Sequence, residues 1–152
     1  MEIDPDVGQI ELASYCVVDD VGVVVNPMLL EGQVHGGVAQ GVGQILMEQV
    51  VFDVESAQLL TASLMDYALP RADNLCNLRV DSLCVPTKLN PLGAKGAGEA
   101  GTIGSLAAVV NAIIDALSPL GVRELDMPVT SERVWRAIRR KTESLRGSTQ
   151  GA

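Results

Sequence analysis

Glycine placement is the strongest constraint on what this chain can fold into. Most of its fifteen glycines fall in two short clusters, at 32–43 and 93–104, and the pattern around each asks for a different backbone. Across 30–48 the apolar residues Leu30, Val34, Val38, Val42, Ile45 and Leu46 repeat on one face at about 100° per residue, which predicts a helix. Gln33, Gly37, Gln40 and Gln44 share the opposite side. Inside such a helix Gly36, Gly37, Gly41 and Gly43 each cost roughly 1 kcal/mol relative to alanine. Something must offset that loss, so these glycines are expected either to pack against another backbone or to lie open as a groove for a flat ligand.

The second cluster lies in the stretch PTKLNPLGAKGAGEAG, residues 86–101, which has no apolar period and predicts an ordered loop. A loop of that length is a common place for function. Beyond it Ile103, Leu106, Ala107, Val110, Ile113, Ile114 and Leu117 recur at three- and four-residue steps, a second helix closed by Pro119 and Gly121. Gly96, Gly98 and Gly101 satisfy GxGxxG, yet no buried strand precedes them and the acid some twenty residues on, Asp115, falls inside the helix. A nicotinamide dinucleotide fold is therefore disfavoured. Glu99 ends the loop just before a helix N-terminus, where amide donors and the positive end of the helix dipole favour a carboxylate. Its position alone allows either a capping role or a ligand-facing one.

Strand signals surround these helices. Alternation predicts a strand over 9–18, and Asp19-Asp20-Val21-Gly22 then turns the chain so that Val23, Val24 and Val25 return as a hairpin partner. Residues 50–54 and 59–62 read as strands about a Glu55-Ser56 turn, and Leu78, Val80, Ser82 and Cys84 alternate again. Asp66, Tyr67 and Arg71 read as polar anchors of a turn. A third helix follows Thr130 as its cap, with Val129 stapled to Val134 and with Trp135 and Ile138 facing inward. The expected organisation is one domain over 1–141 and a flexible tail over 142–152.

Composition bounds the function. With 47% hydrophobic and 20% charged residues in 152, the chain carries enough apolar side chain for one core. A net charge of −8 repels phosphate backbones and anionic lipid, so neither nucleic acid nor a membrane surface is expected as a partner. No run reaches the ~20 apolar residues of a membrane span. Cys16, Cys76 and Cys84 are odd in number and form no CxxC pair, which argues against a protein-ligated metal and for a reducing, cytoplasmic setting. The one histidine, His35, falls on the apolar side of the first helix, and no Ser, Cys or Asp triad assembles around it.

Four runs in order, EGQVHGGVAQGVGQ (31–44), LTASLMDYALPRA (60–72), NPLGAKGAGEAGTIGS (90–105) and DMPVTSERVWRAI (126–138), resemble the C-terminal part of molybdenum hydroxylase large subunits. That family includes aerobic carbon monoxide dehydrogenase large chains, aldehyde oxidases and xanthine dehydrogenases. The resemblance implies an α+β fold, a mixed or mostly antiparallel sheet with about three helices. It implies molybdenum held by molybdopterin, often in the cytosine dinucleotide form, with no metal ligand from the protein. By motif, Glu99 is the family's catalytic base beside the metal, assisting attack by oxygen on an electron-poor carbon of a small-molecule substrate. Gln33 matches the glutamine that hydrogen-bonds the cofactor, and Gly96, Ala97 and Gly98 match the backbone strip that lies against it. Partners implied are the remaining large-subunit portion and the flavin and iron–sulfur subunits. The family's large subunits are several times longer, and its other pterin loops and its substrate-gating loop have no counterpart in these residues. The chain is therefore expected to be inactive alone, to hold no molybdopterin alone, and to expose an apolar patch. A noncatalytic remnant or assembly module that binds a partner subunit is the alternative.

Overall fold

Asn26 starts the central helix: its side-chain oxygen accepts the Leu29 N–H at 3.1 Å, and Pro27 supplies the fixed φ favoured at a first helical position. This helix, α1 (Pro27–Leu46), occupies the stretch in which apolar periodicity predicts it. The computed structural model describes the backbone of residues 1–149 and the side chains of 1–143. Helix α2 (Ala100–Leu117) lies against α1, and the pair meets through its smallest residues. A Cβ added at Gly37 would come within 2.9 Å of the Thr102 nitrogen, and one at Gly41 would collide with the Ser105 hydroxyl. The Thr102 hydroxyl donates to the Gly37 carbonyl at 3.1 Å across the seam. Close backbone approach is thus what offsets the poor helix propensity of Gly37 and Gly41. Gly43 instead accommodates Glu48 and Pro70, while Gly32 and Gly36 meet nothing.

Val34, Val38, Val42 and Ile45 of α1 and Val109, Ile113 and Leu117 of α2 are completed by Leu12, Val122, Val129, Val134 and Ile138 into one core. Val129 and Val134, the expected staple, are both buried at the start of α3 (Ser131–Thr149), and the Thr130 hydroxyl accepts the Arg133 N–H at 3.4 Å. Helix α3 continues past residue 141, where the tail was expected to begin; residues 150–152 of that tail lie outside the described residues. With the turn that follows it, α2 is also longer and more apolar than the sequence suggested: Ala100–Leu120 is long and apolar enough to cross a membrane, although one of its faces is committed to the core. Its early turns combine alanine, glycine, valine and isoleucine without a charge until Asp115.

The strands are shorter and differently paired than alternation implies. The 9–18 segment divides into β2 (Ile10–Glu11) and β3 (Tyr15–Asp19), because Leu12 turns into the core between them. β2 pairs antiparallel with β1 (Glu2–Ile3) around Gly8, whose φ of 71° suits a tight turn. The expected hairpin of β3 with Val23, Val24 and Val25 does not form. β3 pairs in parallel with β4 (Leu78–Ser82), in the register Tyr15↔Leu78 through Asp19↔Ser82. Gly22, with φ 65°, sends the chain away from β3 and bridges Ala94 instead. The 50–62 strands reduce to one antiparallel bridge, Phe52↔Leu59, closed by Asp53, which accepts from the Ser56 hydroxyl and amide. Among the described residues the architecture is α+β, three α-helices with one parallel and one antiparallel strand pair. Between Ile45 and Gly93 no residue is buried.

Candidate cofactor site

Two anchors hold the glycine loop where it meets α1. The first is a clasp: Val23 N–H donates to the Gly93 carbonyl (3.1 Å), Lys95 N–H to the Val21 carbonyl (2.9 Å), and the Lys95 ammonium pairs with the Asp20 carboxylate at 2.5 Å. Asp20 also accepts from the Gly22 and Val85 amides. The Lys95 hydrogen bond, joined by those amides, holds its carboxyl below the usual value. The second anchor is the α1–α2 seam, which fixes the start of α2. Between them run Gly96, Ala97, Gly98 and Glu99.

This short span has the properties of a surface for a ligand. A Cβ at Gly96 or at Gly98 would meet nothing within 4 Å, whereas one at Gly101 would come 2.6 Å from the Val34 carbonyl oxygen. The two roles that glycine can play, admitting a neighbouring backbone or leaving room, are therefore divided within six residues. No amide N–H of Gly96, Ala97, Gly98 or Glu99 finds an acceptor among the described residues. Gln33 Nε2 donates to the Gly98 carbonyl at 3.2 Å, joining the candidates of α1 and of the loop. Its Oε1 remains free to accept.

Glu99 occupies the N-cap position of α2 but does not cap with its side chain. Its backbone is helical (φ −109°, ψ −4°) where a capping residue is normally extended, so the capping alternative fails. The backbone carbonyl accepts from Ile103 at 3.0 Å, and the exposed carboxylate has no ion pair or hydrogen bond among the described residues. Beside Gln33 and Gly98 opens an apolar cleft of about 390 Å³, walled by Val21, Val23, Leu29, Leu30 and Ala97. A larger depression of about 650 Å³ near Leu12 and Cys76 contains none of the candidate residues.

Other amide and polar candidates turn out to be structural. Gln40 accepts from Thr102 at 3.3 Å and belongs to the seam. Tyr67 donates to Glu48 at 2.5 Å, and Ser63 donates to Asp66, so that segment is indeed a polar-anchored turn. His35 lies 3.9 Å from Glu31, and its Nε2 has no hydrogen-bond partner. Among the described residues no group of three or more His, Cys, Asp or Glu side chains could hold a metal ion. Sequence pattern missed three residues that shape the site, Asp20, Lys95 and Thr102. Asp20 was legible only as a turn residue, and nothing in the sequence linked it to Lys95, 75 positions away.

Comparison with known proteins gives the chain a family. Residues 1–76 match the model of a family described as a molybdopterin cofactor-binding domain. The chain is 37% identical over 139 residues to the carbon monoxide dehydrogenase large chain of Hydrogenophaga pseudoflava, and 40% identical over 139 residues to the nicotine 6-hydroxylase large subunit of Paenarthrobacter nicotinovorans. Each comparison covers 91% of this chain and 17% of the relative, so the chain spans about a sixth of their length. Among solved structures it superposes on carbon monoxide dehydrogenase from Oligotropha carboxidovorans with a TM-score of 0.86 and 32% identity, covering 93% of this chain and 18% of that one. Quinoline 2-oxidoreductase from Pseudomonas putida 86 gives 0.85 and 41%, covering 90% and 17%. By fold, sequence and the half of its length that fits the family model, the chain belongs to the molybdopterin cofactor-binding domain family and is similar to part of the large subunits of these molybdenum enzymes.

Proposed function

We propose that this chain supplies one wall and the catalytic base of a molybdenum hydroxylase site. Gly96, Ala97 and Gly98 would hold the molybdopterin by backbone contact, and Gln33 would offer its free amide acceptor and remaining N–H. The open glycine positions and unpaired amides fit a flat polar group that must come close to the backbone. When bound, that group supplies the redox centre that accepts electrons from the substrate. Glu99 takes the proton that leaves as oxygen attacks an electron-poor carbon, and holding it as a free carboxylate at the α2 N-terminus keeps the base ready. The reading extends to the cytosine dinucleotide form of the cofactor, to flavin and iron–sulfur subunits as electron acceptors, and to a cytoplasmic setting that suits the three free cysteines. Release of cytidine monophosphate on hydrolysis of the extracted cofactor checks the dinucleotide. The chain alone is expected neither to retain molybdopterin nor to turn over, since the cofactor needs walls on several sides.

The observation that carries this reading is a carboxylate left uncommitted beside an open glycine strip. Glu99→Gln in the assembled enzyme keeps the shape and removes the base. Turnover should fall by at least ~100-fold with molybdenum and pterin content unchanged. Undiminished turnover would remove Glu99 from the chemistry and favour the noncatalytic reading.

A further inference from the structure

The fully buried core is drawn from residues 12–45 and from 109 onward, while residues 46–92 include the only phenylalanine and seventeen leucines, valines and methionines with none fully buried; of these, Leu46, Leu75, Leu78 and Val80 pack partly against the core. Val54 is 97% exposed, Met65 92% and Leu89 95%. Single exposed apolar residues are ordinary, but an ordered segment of this length with none inside is not. The whole-molecule area says the same. A compact monomer of 16.0 kDa exposes roughly 7,400 Å² by the usual mass scaling. This chain exposes 10376 Å², an excess of roughly 3,000 Å² where a standard interface covers about 800 Å² per partner.

Resting on the reading above, we infer that the exposed apolar side chains of residues 46–92, those not committed to β4 or to the edge of the core, are an obligate docking surface for the remainder of a molybdenum-binding large subunit, whether joined to this chain or separate. Three observations select that occupant over a second copy. The excess is several times what one dimer patch covers, and its apolar residues are spread over the Phe52 turn, the Leu64–Met65 turn and the Leu89 loop. Residues 46–92 hold six acidic and three basic side chains in a chain of net charge −8, so two copies facing each other repel. In the solved relatives the same fold is 17–18% of a longer polypeptide, leaving ample chain to cover it.

The test uses the full 152-residue chain and, as probe, the Hydrogenophaga pseudoflava carbon monoxide dehydrogenase large chain produced without the region similar to it. A 1:1 complex is expected on sedimentation. Val54→Ser, Met65→Ser and Leu89→Ser combined should weaken it at least ~100-fold while leaving the circular dichroism and melting of the chain alone unchanged. Unfolding of that triple variant, binding that ignores it, the absence of a complex, or a homodimer that it dissolves would each overturn the inference. A Glu99→Gln chain separates this from the catalytic reading, because it should dock as tightly as the wild type. Normal docking with undiminished turnover in the assembled Glu99→Gln enzyme would sink only the catalytic reading; failed docking with abolished turnover there would sink only the docking surface.

Discussion

Gly98 and Gly101 are three positions apart and look alike in the sequence, yet their surroundings give opposite expectations. Gly98→Ala places its methyl in open space, so the stability of the chain should stay within about 0.5 kcal/mol while molybdopterin content of the assembled enzyme falls. Gly101→Ala drives a methyl toward the Val34 carbonyl and should destabilise by about 1–3 kcal/mol. Urea denaturation and metal analysis of both variants check the pair, and equal effects would erase the distinction. That glycine matters was legible in the clustering; which glycine does what was not, because each answer depends on whether a segment more than sixty residues away comes within reach of an added methyl, as Val34 does at Gly101 and nothing does at Gly98. Asp20 makes a pH prediction of the same local kind. Its carboxyl sits below the ordinary value of 3.8 because Lys95 and two amides bind the charged form. A depressed folded value means the contribution is complete above the unfolded pKa and disappears as pH falls through the folded one. Hydrogen exchange at the Lys95 amide should therefore be steadily protected above about pH 4 and lose protection below it, and Asp20→Asn should remove that pH dependence.

Among the elements, the helices were legible and the strand pairing was not. A helix satisfies its own backbone within four residues, so local periodicity suffices to place it, with the Thr130 cap marking the third; the Asn26 cap, which starts α1 three residues before the expected Leu30, was not read. A parallel pair such as β3 with β4 is joined by a connection of nearly sixty residues, and no alternation in β3 names its partner. The Asp-Asp-Val-Gly turn suggested a hairpin because the Asp20 carboxylate does bind the Gly22 amide; its other partners, Lys95 and Val85, come from the far loop. Within α1 the seam makes a prediction that propensity alone would get wrong. Gly36→Ala should stabilise by up to about 1 kcal/mol, since its methyl meets nothing. Gly41→Ala gains the same propensity but collides with Ser105, and overpacking of about 1–3 kcal/mol should leave it net destabilised. Adding Ser105→Gly should recover part of that loss, and no recovery would place the strain elsewhere.

For the molecule as a whole, α+β class and family were legible, whereas which stretch would stay outside the core was not. Composition counts apolar residues without saying which of them meet, and here the segment from 46 to 92 keeps most of its share outside and lays only Leu46, Leu75, Cys76, Leu78 and Val80 against the edge of the core. The core thus joins two distant stretches of chain and leaves the intervening turn at Ala57, with its φ of 56°, at the surface. This arrangement makes the polypeptide severable. A protease specific for glutamate should reach Glu55 readily at so exposed a tip. The two products, one carrying β1, β2, β3 and α1 and the other carrying β4, α2 and α3, are held together by the glycine seam and the parallel strand pair rather than by the peptide bond. They should co-elute after cleavage and separate only in denaturant. Covalent continuity at that point is dispensable to the fold, so the same core could be assembled from two polypeptides cut there as well as from one.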